Sequence, residues 1–381
     1  MAKADKEGQR KAPILRFKGF TDDWEQRKLL KVCKKEDNKR IPIKEQERKE
    51  GNTPYFGANG IQGYIDGYTH DGTNILIAED GANNVKNYPI KLITGKIWVN
   101  NHAHVLNVNT KTNNGNFLVG AIKKINFYRY LVGSSRYKLT AESLSQVKIE
   151  ITEQSEQEKI GELFKSIEEL LTLYDRKTKL IKQIQSSFLD CFFSETNNVT
   201  SLNHFLRIRN GYAFKSSELT ENGEIPVVKI SNIGSNKPFT FTTKAKSKEQ
   251  FTLYPNDIII ALSGATAGKI NQVANKYPLY YQNQRVGFFE IKNDRLNCEY
   301  LNSFLHSKKF KSQLQKTLVA GAQPNITPKD IEKIKIPFLE YELQQTIGQV
   351  NKYLFELQRI NKDKLTLLNK IKKTLLNNMF V

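Results

Sequence analysis

The sequence predicts an α+β fold: two globular domains separated by a long antiparallel coiled coil of two helices, with a pseudo-two-fold internal repeat. Three observations lead to this fold class. Residues Thr140–Phe193 recur as Thr327–Phe380 after a shift of 187 positions without a gap, and so long a repeat indicates two similar halves. The later part of each copy has apolar residues at alternating steps of three and four, the spacing of a coiled coil. Short apolar runs broken by Gly and Asn fill the rest of each half and predict strands and loops.

The repeat divides the chain into five segments. They are a basic amino-terminal arm with the segment that leads into the first domain (1–21), the first globular domain (22–150), the central long helix (151–199), the second globular domain (200–337) and the carboxy-terminal long helix (338–381). Each helix has about forty residues, which is roughly 60 Å at 1.5 Å per residue. The second helix must lie back along the first to bury its apolar seam, which predicts an antiparallel pair. In the alternative interpretation, each helix packs on its own globular domain.

The predicted seam repeats in both helices. In the first helix it comprises Ile160, Leu163, Ile167, Leu170, Tyr174, Lys177, Ile181, Ile184 and Phe188. In the second helix it comprises Ile347, Val350, Leu354, Leu357, Asn361, Lys364, Leu368, Ile371 and Leu375. Lys177, Asn361 and Lys364 interrupt the apolar series, and polar seam residues are expected to fix the alignment of the two helices at some cost in stability.

The two globular domains show the same order of elements. The first has predicted strands at Thr53–Phe56, Asn74–Ala78, Lys96–Val99 and Val105–Val108, followed by a helix at Asn116–Ile125. The second has predicted strands at Ile225–Ile230, Asp257–Leu262 and Val286–Ile291, followed by a helix that runs from Glu299 toward Leu314. The match between the domains is faint and local, and their loops differ most. This pattern is expected if the two helices have the same role in both halves while the two domains recognise different targets.

Composition favours a polyanionic partner. The chain of 381 residues has 59 Lys and Arg against 39 Asp and Glu, a net charge of +20, and nucleic acid is the leading candidate for such a surplus. Cys33, Cys191 and Cys298 are scattered and odd in number, which predicts no disulfide framework and fits a reducing compartment. No apolar run approaches the roughly eighteen residues of a membrane span, and the charged amino terminus does not resemble a secretory signal. We therefore expect a cytoplasmic protein with no membrane partner.

Clusters of amide and basic side chains are the candidate DNA contacts, because Asn and Gln pair with adenine and Arg with guanine. In the first half the candidates are Asn83, Asn84, Lys86, Asn100, Asn101, His102, Ser135, Arg136 and Tyr137. In the second half they are Ser263, Thr266, Lys269, Gln282, Asn283, Gln284, Arg285, Gln323 and Asn325. Each residue alone is also a common turn or capping residue. Their clustering on a basic chain favours DNA contact.

No catalytic residues or metal ligands are predicted. The loop from Gly264 to Lys269 lacks the spacing and the Ser or Thr of a nucleotide-binding loop. A nuclease can still be built from Asp257, Glu290 and Lys292, since paired carboxylates with a lysine can hold a metal for phosphodiester cleavage. His102 and His104 alternate on a predicted strand without further clustered ligands. A coiled-coil scaffold without a DNA role is a third interpretation.

Three stretches give the chain a family resemblance. They are the segment Asp22–Leu29, the glycine-rich loop Ser263–Lys269, and the paired passages Val147–Gly161 and Ile334–Gly348, each with a strand, a Glu and a helix start. With the repeat, they resemble the specificity (S) subunit of type I restriction–modification enzymes over nearly the whole chain. The resemblance has two departures. The first copy has Glu150–Thr152 where the second has Pro337–Leu339, and the first glycine loop, Glu79–Asn84, has only one Gly.

The resemblance implies a function and partners. Each globular domain would be a target-recognition domain that reads one half of a split site in double-stranded DNA, and the helices would set the gap between the halves. Two methyltransferase (M) subunits using S-adenosylmethionine, and restriction (R) subunits using ATP and Mg²⁺, would carry out catalysis. This chain itself would bind no cofactor.

Overall fold

The computed structural model describes residues 12–85, 87–134, 137–194, 198–235, 237–244, 246–318 and 325–381. These residues form two compact units. Unit 1 comprises the described residues up to Asp175 together with Asp363–Val381, and unit 2 comprises those from Arg176 to Lys362. Each long helix therefore contributes one part to each unit.

Unit 1 contains most of the first half of the chain. Its elements are β1 (Glu25–Lys28), α1 (Leu29–Val32), β2 (Cys33–Lys35), β3 (Thr53–Gly57), β4 (Gly60–Ile65), β5 (Thr73–Ala78), β6 (Ile90–Thr94), β7 (Trp98–Val99), β8 (Ala103–Val108), α2 (Gly115–Lys123), α3 (Ala141–Gln146), β9 (Lys148–Ile151) and the start of α4 (Gln154–Phe193). The strands form sheets of order β2-β8-β5-β6, β4-β3-β7 and β1-β9.

Unit 2 contains the corresponding part of the second half. Its elements are β10 (Val199–Ser201), β11 (Leu206–Asn210), β12 (Ile225–Val228), β13 (Thr240–Thr242), β14 (Thr252–Leu253), β15 (Ile258–Ala261), β16 (Ile270–Gln272), β17 (Tyr280–Gln282), β18 (Val286–Ile291), α5 (Cys298–His306), α6 (Lys308–Leu318), α7 (Pro328–Glu332), β19 (Lys335–Pro337) and the start of α8 (Tyr341–Met379). The strands form sheets of order β11-β18-β15-β16, β13-β12-β17-β14 and β10-β19.

The two units repeat one sheet plan. β5 lies between β8 and β6, as β15 lies between β18 and β16. β3 pairs in parallel with β7, and β12 pairs in parallel with β17. β5 and β15 are the strands that the sequence aligned through their matching apolar runs. The faint sequence match therefore marks equivalent strands of two copies of one domain.

An aromatic residue at the end of each long helix closes the core of its unit. The Phe380 ring, just after α8, packs against Trp24, Phe117 and Phe164 with ring centroids 5.4–6.0 Å apart. Its repeat equivalent Phe193, the last residue of α4, packs on two aromatic rings of α5 in unit 2 at 5.3 and 5.5 Å. Burial of an aromatic side chain contributes a few kcal/mol, so these contacts fix each helix to its domain.

The lengths of α4 and α8, 40 and 39 residues, agree with the sequence pattern. Within unit 1 the two helices run antiparallel. Glu168 of α4 lies 2.5 Å from Nζ of Lys372, and further along α4 the Tyr174 ring lies under Lys364 at 5.5 Å. Within unit 2, Gln185 donates to Asn351 at 2.8 Å and accepts from Gln358 at 2.7 Å.

The seam of both helices differs from the predicted one at every second position. Five predicted residues of each helix are buried or half-buried: Ile160, Ile167, Tyr174, Ile181 and Phe188 in α4, and Ile347, Leu354, Asn361, Leu368 and Leu375 in α8. The predicted residues between them are exposed, except for the half-buried Leu163: Leu170, Lys177, Ile184, Val350, Leu357, Lys364 and Ile371. The next residue along faces inward instead, which gives Phe164, Leu171, Thr178, Gln185 and Phe192 in α4, and Asn351, Gln358, Leu365, Lys372 and Met379 in α8.

The rotation of α4 is fixed at its start, where Glu156 and Gln157 are buried in unit 1. A prediction from hydrophobicity alone places the more apolar of two adjacent residues on the seam, such as Ile184 rather than Gln185. In the structure, packing of the first turns of α4 onto unit 1 sets a helix rotation that turns the less apolar residue inward. A regular helix keeps that rotation along its length. No helix of the described residues is long and apolar enough to cross a membrane.

Candidate nucleic-acid interface

Three chain segments of unit 2 meet around a cleft of about 890 Å³. They are the loop after β15, the turn between β17 and β18, and the segment before α7. Main-chain hydrogen bonds hold them side by side: Leu262 N donates to Arg285 O at 2.9 Å, and Ile326 N donates to Leu262 O at 2.8 Å. The chain turns away after β15 through Gly264, whose φ of 76° suits glycine.

Gln282 holds the turn between β17 and β18 from inside. The sequence grouped it with the DNA-facing amides, but its side chain is fully buried. Its Nε2 atom donates to Arg209 O at 2.6 Å and to Val286 O at 2.7 Å. Gln282 therefore cannot contact DNA, because both amide hydrogens are used to clamp the turn.

The other predicted residues of unit 2 differ in their surroundings. Gln284, Arg285 and Asn325 are exposed at the cleft. Ser263 is half-buried, and its Oγ atom has no hydrogen-bond partner among the described residues. Three more of the predicted residues take structural or peripheral positions. Asn283 N donates to Val228 O at 3.1 Å, Thr266 Oγ1 donates to Ile230 O at 3.2 Å, and the side chain of Lys269 is exposed.

Unit 1 contains the same main-chain frame at equivalent positions. Glu79 N donates to His102 O at 2.9 Å, and Leu139 N donates to Glu79 O at 2.7 Å. Glu79 and His102 are equivalent to Leu262 and Arg285 after a shift of 183, and Leu139 to Ile326 after a shift of 187. The bridge between Asp80 and Lys138 corresponds in the same way to the bridge between Ser263 and Asn325.

The side chains on the two frames are different. Asp80, Asn101, His102 and Lys138 of unit 1 stand where unit 2 has Ser263, Gln284, Arg285 and Asn325. The Nδ1 atom of His102 lies 2.6 Å from Oδ1 of Asp80, and Lys138 Nζ lies 3.1 Å from Glu79 Oε1. The frame of unit 1 thus carries side chains paired with carboxylates, and the frame of unit 2 carries two amides, a hydroxyl and a guanidinium with no ion pair among the described residues.

Four more predicted residues of unit 1 lie in or beside this frame. Asn100 is buried, accepts from His102 N at 2.9 Å and donates to Gln62 at 3.2 Å. Its side chain therefore supports the turn and does not face solvent. Asn83 N donates to the side chain of Asn59, Asn84 accepts from Asn87 N, and the Tyr137 ring packs on Tyr128 at 5.6 Å. Lys86, Ser135, Arg136 and Gln323 lie outside the described residues.

A partly buried charge network supports the frame of unit 1, and no pattern in the sequence indicated it. His104 lies 2.7 Å from Asp37 through Nδ1 and 2.8 Å from Leu139 O through Nε2. Arg40 donates to Glu79 at 2.7 Å. Burial raises the pKa of Glu79, but hydrogen bonds from Arg40 and Lys138 outweigh it and leave the pKa below its usual value. The residues of this network are far apart in sequence, so spacing could not have grouped them.

The residues of the nuclease interpretation have other roles in the structure. Asp257 accepts from Tyr254 N at 2.8 Å, and burial raises its pKa. Glu290 forms ion pairs with Arg207 and Arg209, and the hydrogen bond from Arg207 lowers its pKa. The main-chain N–H of Lys292 donates to Phe205 O at 2.8 Å. Among the described residues, no group of three or more His, Cys, Asp or Glu side chains could hold a metal ion.

The family model for the type I restriction modification DNA specificity domain matches this chain twice, at residues 21–184 and 194–372. The chain therefore belongs to the specificity subunit family of type I restriction–modification systems, the non-catalytic component of those enzymes. The resemblance in the sequence is confirmed.

Particular relatives agree with this assignment. A Haemophilus influenzae protein assigned as a type I restriction enzyme specificity subunit is 31% identical over 302 residues, covering 76% of this chain and 77% of that protein. The specificity subunit of the Methanocaldococcus jannaschii type I restriction enzyme MjaVIII is 25% identical over 261 residues, covering 61% and 60% of the two chains. The crystal structure of the S subunit of a type I system from M. genitalium has a TM-score of 0.76 at 17% identity, covering 97% and 99%. The predicted fold class is confirmed.

Proposed function

We propose that this chain is the DNA-recognition subunit of a cytoplasmic type I restriction–modification complex. Units 1 and 2 each read one half of a bipartite site in double-stranded DNA, through recognition domains at residues 22–150 and 200–337. The observation that carries the proposal is the pair of equivalent main-chain frames with different side chains. A repeated frame gives both domains the same approach to DNA, while different side chains select different bases.

The charge of the chain supports DNA as the partner. A net charge of +20 favours a polyanion, and contacts from Lys and Arg to phosphates make such binding weaken steeply as salt increases. A scaffold without a DNA role would show no such dependence.

Exposed apolar residues of the long helices support docking of methyltransferase subunits. Eight exposed residues are related in pairs by the 187-residue shift. Unit 1 contains Leu170, Leu173, Leu367 and Ile371, and unit 2 contains the other four. Along the helices they are Leu170, Leu173, Leu180 and Ile184 in α4, and Leu357, Ile360, Leu367 and Ile371 in α8. Their steps of three, seven and four residues follow the period of a helical partner seam. Isolated exposed apolar residues need no explanation, but a periodic set that occurs twice marks an interaction surface.

The partner we propose for the four residues of each unit is a helix of a methyltransferase subunit, so that two such subunits bind. S-adenosylmethionine would be held by those subunits, and ATP and Mg²⁺ by the restriction subunits that complete the complex.

Glutamate substitutions test the docking surface. Leu173→Glu with Leu367→Glu in unit 1, or Leu180→Glu with Ile360→Glu in unit 2, should each reduce the bound methyltransferase subunits from two to one, measured as the mass of the purified complex. All four together should leave none. The control carries Gln183→Glu and Lys373→Glu at exposed polar positions and should keep both subunits. Soluble, folded variants that still bind two would contradict this surface.

A domain exchange tests the recognition function. Residues 200–325 are replaced by the corresponding domain of another member of the family, and the methylated motif is mapped across a genome. One half of the motif should change and the other should persist. A change in both halves, or in neither, would refute one domain per half-site.

A further inference from the structure

We propose that Arg285 reads a guanine in the half-site recognised by unit 2, and that unit 1 lacks this readout because His102 occupies the equivalent position. This inference rests on the proposed function and adds the chemistry of one base contact to it.

The main chain on both sides of Arg285 is fixed before any ligand binds. Arg285 O accepts from Leu262 N at 2.9 Å, Gln284 N donates to Tyr212 O at 2.9 Å, and Val286 N donates to Asn283 O at 2.9 Å. The buried amide of Gln282 clamps the same turn from below. The side chains of Gln284 and Arg285 are exposed on this turn and can meet a partner, and little conformational entropy is lost in the main chain on binding.

The guanidinium of Arg285 has no acceptor among the described residues. Arg16, Arg40 and Arg207 each bind a carboxylate. No ion pair is found for Arg285 within the described part of the chain, and the described residues lining its cleft include no Asp or Glu. An exposed fork of N–H donors beside neutral Asn, Gln and Ser side chains matches the paired O6 and N7 acceptors of guanine in the major groove.

Unit 1 presents different chemistry at the equivalent place. His102 is shorter than arginine, and its Nδ1 atom is held 2.6 Å from the Asp80 carboxylate. An imidazole tied in this way has one ring nitrogen left and cannot form the bidentate fork. The two half-sites should therefore differ in whether a guanine is read at this position.

The test uses the purified complex of the full chain with its methyltransferase subunits, after methylation mapping and domain exchange have assigned the half-site of unit 2. Each guanine of that half-site is replaced in turn by 7-deazaguanine, which lacks the N7 acceptor but keeps the base pair. At one position the substitution should weaken binding by the unmodified chain about tenfold, which is about 1.4 kcal/mol. The Arg285→Ala complex should be insensitive to the substitution at that position.

Control variants separate base reading from charge. Lys329→Ala removes an exposed cation next in sequence to the cleft-lining Pro328, and it should weaken all duplexes equally and keep the 7-deazaguanine effect. Arg285→Gln keeps a polar side chain on the turn and should shift the preference at the affected position from guanine to adenine. If Arg285→Ala fails to fold, Arg285→Gln takes its place in the binding test.

Two outcomes would overturn the inference. Arg285→Ala could weaken all sequences alike and lower the salt slope by about one, which indicates a phosphate contact. Alternatively, the 7-deazaguanine effect could persist without Arg285. Failure of the unmodified complex to bind any sequence preferentially would instead contradict the proposed function.

Discussion

Gln344 accepts the main-chain N–H of Asn297 at 3.0 Å, and Gln157 binds the N–H of Asn114 in the same way at 3.1 Å. The two asparagines cap the amino ends of α5 and α2 through their own side chains. In each copy, one glutamine near the start of a long helix thus fixes the start of a shorter helix in the domain. The helix and the domain are joined by the same side-chain contact twice.

Removal of the Gln344 amide should destabilise the protein. Gln344 is fully buried, and its Nε2 atom also donates to Leu339 O at 2.9 Å. Gln344→Leu removes the partner of these half-buried main-chain groups and should lower the free energy of unfolding by about 1–3 kcal/mol. The measurement is urea unfolding, with Gln345→Leu at an exposed neighbouring position as the control. Equal stability of the two variants would show that the glutamine contact is dispensable.

A methyl group added at Gly120 should clash with the end of the chain. A Cβ atom there would lie 2.2 Å from the Phe380 ring. Gly120→Ala should lower the free energy of unfolding by about 1–3 kcal/mol because a packed ring must move. Phe380→Leu removes part of that ring, so the double variant should lose less than the sum of the single losses in a double-mutant cycle. Strict additivity would mean that the two residues do not meet.

Asn361 is the polar seam residue whose replacement should stabilise the protein. It is 2% exposed, and its Nδ2 atom has no hydrogen-bond partner among the described residues. Asn361→Leu removes an unpaired buried donor and should raise the free energy of unfolding by about 1–3 kcal/mol. Lys177→Leu, at an exposed position, should change it by less than about 0.5 kcal/mol. Thermal and urea unfolding measure the stability of both variants. A stabilising Lys177→Leu would show that Lys177 lies on the seam, as the sequence predicted.

The charge network of unit 1 should make stability depend on acid. The pKa of Glu79 is below its ordinary value of 4.5 in the folded chain. Its contribution to stability is therefore fully present above pH 4.5 and is lost as the pH falls through the folded pKa. Glu79→Gln should lower stability at pH 7 by roughly 1–3 kcal/mol and flatten the loss below pH 4.5. Glu142→Gln, an exposed acidic residue of α3, is the control and should keep the acid dependence. If the Glu79→Gln variant keeps the full loss of stability in acid, that loss comes from other carboxylates.

The sequence predicted the helices and strands that leave a periodic or repeated pattern of residues. The shift of 187 positions identified the helices, and the short runs around Ile75 and Ile259 identified equivalent strands. Exposure was not predictable in the same way. Gln282 and Gln284 are two residues apart in one polar cluster, yet one is buried and the other faces solvent, because the turn between them is shaped by contacts with distant segments. The seam was displaced at Ile184 for a related reason, since helix rotation is set by packing and not by local hydrophobicity.

The main-chain frame of each unit consists of main-chain hydrogen bonds. The side chains carried on it, such as Ser263, Gln284 and Asn325 in unit 2, contribute little to the core. Substitutions of such surface side chains usually change stability by less than about 0.5 kcal/mol. Under the proposed function, base preferences would therefore change by single substitutions while the protein stays folded. Because the two units hold separate frames, the proposed function implies that a substitution on one frame would change the recognition of one half-site and leave that of the other unchanged.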